Sequence, residues 1–192
     1  MGTVLGAMRN VRWHELQHAY GSASQVPGVL SRIAWGDAPS SGEALTDLER
    51  WIGTPPVFDS TAATVPFLWE LAATDTVRDR AGVLDLLATI LAAGNPQHPA
   101  WTRAAHQAVA EGRGTAVRLA AAVPEAREAD RPGGPPDTPE PGGLSPAHPA
   151  QAATDLAPAH PAQALGAAAT RLLTAIDGHT CPACPAPPPA PA

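Results

Sequence analysis

Hydrophobic residues in the first 123 positions recur at spacings of three and four, and Gly, Pro and capping residues cut that pattern into short segments. Trp13, Leu16 and Tyr20 predict a first helix over 12–20, closed by Gly21. Val26, Leu30 and Ile33 predict a second, with Ser24 as its N-cap and Pro27 in the first turn, where a missing N–H costs little. Ser40 and Glu43 have capping-box spacing and open a third, with Leu45, Leu48 and Ile52 facing inward and a stop at 53–56. A fourth, capped by Asp59, Ser60 or Thr61, carries Val65, Leu68 and Leu71 or Ala72 on its core face, with Pro66 early in it. The fifth, over 75–93, keeps Ala81, Leu84, Leu87, Ala88 and Leu91 in register and ends at Gly94-Asn95-Pro96. A sixth spans 99–111, with Trp101, Ala105, Ala108 and Val109 available for packing, and a weaker one spans 115–123.

Two of these segments match at one offset. Val26-Pro27 with Val29 and Leu30 aligns with Val65-Pro66 with Leu68 and Trp69, and Ala44-Leu45 with Leu48 aligns with Val83-Leu84 with Leu87, each 39 residues on. A period of about 40 is that of helical repeats of the HEAT and armadillo kind. The expected fold class is therefore all-α, a short HEAT-like helical-repeat solenoid followed by a disordered Pro/Ala-rich tail.

Composition places the tail. All 5 Trp, both Phe and the single Tyr precede residue 102, while 16 of the 23 Pro lie from Pro124 onward. A segment so rich in Pro and free of aromatics buries too little apolar surface to offset chain entropy. The expected division is a flexible N-terminus at 1–10, a helical-repeat domain at 11–123, a disordered linker at 124–161, an isolated amphipathic helix at 162–178 and a disordered Pro-rich tail at 179–192. In the linker, Leu144 to Ala152 recurs with one change as Leu156 to Ala164, a spacing suited to an extended connection. The helix at 162–178 presents Leu165, Ala169, Leu172, Leu173 and Ile176 on one face, able to dock on the domain or on a partner.

All 12 basic residues are Arg, a bias that fits a GC-rich, actinobacterial-type coding genome, and the net charge is −6. Neither half of the chain is basic, so the electrostatic footprint of a nucleic-acid binder is missing. Two Cys near the C-terminus make no disulfide framework for the domain. The first eight residues lack the order and length of a secretory signal, and no apolar run approaches a membrane span of about 20 residues. A cytoplasmic location is the expectation, with the start at Met1 or Met8.

Two motifs bear on chemistry. His14-Glu15-Leu16-Gln17-His18 matches the pattern in which two His one helical turn apart bind zinc and the Glu acts as general base. Against it, the third His of the extended pattern falls at Ser24, no Met follows Met8, and no strand precedes the segment. The second motif is His179-Thr180-Cys181-Pro182-Ala183-Cys184, a pair of thiols able to hold zinc or to cycle between dithiol and disulfide. Only three ligands are local where a structural site needs four, so a Pro-rich terminus with incidental thiols is the expected reading. Trp35, Trp51, Trp69 and Trp101 each lie on or beside a predicted helix, most of them as packing residues and about one in three as an exposed anchor.

Trp13, Leu16, His18-Ala19-Tyr20-Gly21-Ser22-Ala23, Val26-Pro27 and Ala63-Thr64-Val65-Pro66-Phe67-Leu68, followed by the Leu-rich fifth helix, resemble a family of actinobacterial HEAT-repeat-like proteins. The resemblance spans about residues 11 to 110. The chain departs from the family at Gly53 to Phe58, which lacks a His-Gln-Gly sequence, and after residue 115, where further repeats give way to the Pro-rich tail. It looks like a shortened member. Stacked helix pairs leave a concave surface suited to wide, shallow contacts, so the expected function is a non-enzymatic scaffold that binds a protein, with no catalytic, cofactor or metal residue assigned and no nucleic-acid or membrane partner. The alternatives are a zinc-dependent hydrolase built on His14, Glu15 and His18, and a decayed repeat protein without independent function.

Overall fold

The computed structural model describes residues 6–122 and 161–184, and it is mostly helical. Seven α-helices occur among the described residues: α1 Val26–Trp35, α2 Ala38–Leu48, α3 Asp59–Ala73, α4 Arg80–Ala92, α5 Pro99–Glu111, α6 Arg113–Ala121 and α7 Pro161–Asp177. A π-helical turn, Glu49–Gly53, extends α2 and seats Ile52 in the core. Of the linker expected at 124–161, all but Pro161, which begins α7, lies outside the described residues, as does the tail from 185 onward.

α4 organises the packing. Val83, Leu84, Leu86, Leu87, Ile90 and Leu91 are all buried, so this helix is apolar on more than one face and needs neighbours on several sides. It contacts α3, α5, α7 and the π-helical turn. A second series of contacts runs from α1 to α3 to α5. Trp13 reaches into the same core against Phe67, with ring centroids 5.9 Å apart, and its Nε1 donates to the Met8 carbonyl at 2.9 Å.

Several predicted boundaries move, each for a local reason. Residues 12–20 are not a helix: Trp13–Glu15 is a single 3-10 turn, and β1 Gln17–His18 pairs antiparallel with β2 Gly21–Ser22. A nine-residue helix is marginal alone, and here its backbone groups find other partners. The Gln17 amide donates to Asp59 Oδ1 at 2.8 Å and the Ala19 amide to the Trp51 carbonyl at 3.2 Å. Gly21, expected as a helix cap, instead supplies the positive φ of 122° that the tight β turn requires.

The N-terminal caps shift similarly. α1 begins at Val26, after a 3-10 turn at Ala23–Gln25 in which Ser22, and not Ser24, accepts the capping bond. α2 begins at Ala38, because the Asp37 carboxylate accepts from the Ser40 amide and takes the cap expected of Ser40. α4 begins at Arg80, five residues late, since Asp79 Oδ1 caps the Gly82 amide at 2.7 Å. Pro66 is not early in its helix: α3 starts at Asp59 and carries Pro66 in its interior.

The amphipathic segment, divided off as an isolated helix but with a face able to dock, does dock on the domain. α7 packs on α4 and α6, burying Gly166, Ala168, Ala169 and Leu172 and half-burying Leu165, Leu173 and Ile176. Full burial of Leu172 alone stabilises by about 1.5–3 kcal/mol. The ion pairs Arg113–Asp177 and Arg171–Asp85 flank this contact, but solvent screens them and the apolar face carries the docking. At the other end of the domain, residues 6–10 of the expected flexible N-terminus form a 3-10 turn with Met8 buried.

Candidate functional site

The zincin-like motif does not assemble. Without a helix, His14 and His18 lose the shared face that metal binding requires. His14 is exposed, with Nε2 3.8 Å from Glu15 Oε1. His18 is buried, stacked on Trp51 with centroids 4.8 Å apart and planes 3° apart, and its Nδ1 accepts from the Tyr20 amide at 3.1 Å. Burial lowers the His18 pKa below 6.5, partly offset by a backbone hydrogen bond with Ser22.

The second motif gathers a partner from far away in sequence. α7 ends at Asp177, and a turn closed by the Cys184 amide donating to the Cys181 carbonyl at 3.2 Å folds residues 181–184 against α5. Arg103 of α5 holds that turn, its Nε donating to the Ala183 carbonyl at 2.8 Å. Residues 179–184 are therefore packed, where the composition predicts a disordered tail. His106, on the inner face of α5 with Thr102, Ala105 and Val109, meets both thiols: its Nδ1 lies 3.5 Å from Cys181 Sγ and 3.4 Å from Cys184 Sγ. Together with His179, these residues form a cluster whose four ligand atoms lie within 4.8 Å of one another. It is the one such group of His, Cys and carboxylates among the described residues.

Bonds around the cluster fix protonation. The Ala93 carbonyl, 2.8 Å from His106 Nε2, only accepts, so Nε2 carries the proton and Nδ1 presents its lone pair to the sulfurs. His179 packs edge-on against His106 at 4.6 Å, and its Nε2 is buried without a hydrogen-bond partner. Burial, then the neighbouring His106, holds the His179 pKa below 6.5. Burial, followed by the hydrogen bond with Cys181, pushes the Cys184 thiol up to about 11.

Beside the cluster opens a cleft of about 820 Å³, walled by Leu91, Ala92, Pro96, Pro99 and Ala175, with His106, His179 and Cys181 at one side. Among the tryptophans, Trp13 and Trp69 are buried and Trp51 and Trp101 are half-buried, whereas Trp35 is 65% exposed. Trp35 ends α1 and lines a hollow of about 480 Å³ with Met8, Val11, Trp13, Pro27 and Ser31.

The sequence names three members of the Cys/His cluster and misses His106. Its one signal is a histidine among the inward positions of α5, a polar ring needing a buried partner. Comparison with protein-family models, curated proteins and solved structures finds no match. The class defined by fold and site is thus an all-α domain with a Cys/His cluster. No helix among the described residues is long and apolar enough to cross a membrane.

Proposed function

We propose that the protein is a non-enzymatic helical scaffold that binds a protein partner through the face around Trp35. The exposure of Trp35 carries this reading. An indole two-thirds open to water, at the rim of a hollow floored by Met8 and Trp13, has the makings of an interface anchor, because tryptophan is enriched among residues that dominate binding energy. Tyr20, 68% exposed, adds a second aromatic to the exposed surface of the N-terminal half. We read the series α1–α3–α5 and the hairpins α1/α2 and α3/α4 as a short HEAT-like solenoid, which supplies rigid elements for a wide, shallow contact.

A photo-crosslinking residue in place of Trp35, in the full chain expressed in its native host, tests the proposal. One dominant crosslinked protein is expected, absent when the same residue replaces Thr89 on α4. Trp35→Ala should weaken the isolated complex at least about tenfold with an unchanged helical signal, in keeping with a hot-spot tryptophan. Binding unaffected by Trp35→Ala overturns the assignment of this face.

A further inference from the structure

We propose that His106, His179, Cys181 and Cys184 form a tetrahedral site for a single Zn²⁺ ion. This goes beyond the scaffold reading and is independent of the Trp35 face.

Distances support it first. Zinc bonds of about 2.3 Å to sulfur and about 2.0–2.1 Å to nitrogen, at tetrahedral angles, put sulfur and nitrogen about 3.5 Å apart. His106 Nδ1 stands 3.5 and 3.4 Å from the two sulfurs, so two edges of the tetrahedron already have their metal-bound length. The same bonds make a sulfur–sulfur edge of about 3.8 Å, and the widest spacing in the cluster is 4.8 Å. The nitrogen–nitrogen edge comes to about 3.3 Å, so whichever pair holds the widest spacing, closure takes about 1–1.5 Å of movement, within reach of side-chain rotation in the turn that follows α7.

The surroundings are those of a metal ligand set. Metal-bound histidines almost always donate their other ring nitrogen to a carbonyl or carboxylate, and His106 does so to Ala93, which aims Nδ1 at the thiols. His179 Nε2 is a buried nitrogen with no hydrogen-bond partner, a costly state that coordination resolves. The turn between the two Cys is tied down from outside the site by Arg103, so the thiols are held facing α5.

Donor chemistry names the ion. Two thiolates with two imidazoles in tetrahedral array suit Zn²⁺, whereas oxygen-seeking Mg²⁺ and Ca²⁺ find no oxygen ligand here. Two thiolates also neutralise the ion's charge, so a partly buried site gains no net charge on loading. Four protein ligands leave no open position, which makes the ion a structural staple joining the end of α7 to α5 and not a catalytic centre. Binding releases one proton from each thiol, and zinc undergoes no change of oxidation state.

The test uses the full chain, purified without a metal-binding tag under reducing conditions. Elemental analysis should return one zinc per chain, and Co²⁺ added to the stripped protein should give the intense visible absorption of a tetrahedral thiolate site. His106→Gln should lose the tetrahedral cobalt spectrum, as should Cys181→Ser combined with Cys184→Ser. Failure of wild-type protein, helical by circular dichroism, to give that spectrum overturns the site whatever the variants do. An unchanged spectrum in His106→Gln overturns the four-ligand assignment, and a Cys181–Cys184 disulfide persisting in reductant excludes the ion altogether.

Discussion

The imidazole of His18 lies flat on the indole of Trp51, the rings 4.8 Å apart at the centroids and tilted by only 3°. This stack replaces the metal-binding role that the spacing of His14 and His18 suggests. It also sets a protonation preference. Nδ1 accepts from the Tyr20 amide, which requires an unprotonated nitrogen, and burial disfavours the imidazolium.

The His18 pKa is therefore lowered in the fold from its ordinary 6.5. Above pH 6.5 the ring is neutral in both folded and unfolded chains. As pH falls through 6.5 the unfolded chain takes up the proton first, so His18 removes stability until the pH passes below its folded value. The His18 ring signals, followed by NMR across pH 5 to 8, should titrate with a midpoint below 6.5. A midpoint at or above 6.5 would contradict the buried, neutral assignment.

Gly112 separates α5 from α6 with φ −80° and ψ 1°, a conformation open to any residue. Its reason for being glycine is space: a Cβ there would fall on the indole of Trp69. Gly112→Ala should destabilise by about 1–3 kcal/mol through overpacking. Gly114→Ala, where the added carbon meets only Arg118 Nη1 at 3.8 Å, should be neutral or stabilising by up to about 1 kcal/mol. Urea unfolding of the two variants separates these outcomes, and equal midpoints would show that Trp69 yields freely.

Pro66 sits on the exposed side of α3, well inside the helix. It denies the Ala62 carbonyl its helical donor and crowds it, a cost of about 3 kcal/mol in a helix interior. Pro66→Ala returns the amide at the expense of about 1 kcal/mol of unfolded-chain rigidity. A net gain of about 2 kcal/mol should appear as a higher urea midpoint. A lower midpoint would mean that the ring makes contacts worth more than the hydrogen bond.

Pro66 also illustrates what the chain states openly and what it hides. Leu84, Leu87 and Leu91 announce a helix by spacing alone, and α5 begins and ends at the residues its Pro99 and Gly112 predict. The 39-residue offset aligns Pro27 with Pro66, yet one lies in a first turn and the other mid-helix, because α3 starts at Asp59, well ahead of the aligned Val65, with Thr61 Oγ1 accepting from the Phe58 amide. Local spacing cannot weigh distant bonds such as Gln17 to Asp59, which convert 12–20 from helix to turn and strand. The Cys/His cluster is hidden for the same reason. His106 and Cys181 are 75 positions apart, and only the docking of α7 joins them.

Asn95 decides how firmly the wall of that cluster is held. Its Nδ2 donates to the Val57 carbonyl at 2.8 Å, and its Oδ1 accepts from the amides of Gln97 and His98 at 3.0 and 3.2 Å. The side chain is 7% exposed, so water cannot replace these partners easily. One amide thus ties the segment before α3 to the α4–α5 connection, two residues beyond the Ala93 carbonyl that orients His106. Asn95→Ala leaves the buried Val57 carbonyl without its donor, while the His98 amide keeps the Asn95 main-chain carbonyl and the exposed Gln97 can turn to water, so it should destabilise by about 1–3 kcal/mol, the cost of one buried group left unpaired. Asn95→Asp keeps both acceptor bonds but loses the donor to Val57, placing a carboxylate against that carbonyl. It should therefore be destabilised too, and recover as the pH drops and the carboxyl regains a proton to donate. Thermal melts of both variants between pH 4 and 8 check this. Asn95→Asp as stable as the parent at pH 8 would show that the Val57 bond contributes little, leaving the two loop amides as the part of Asn95 that matters.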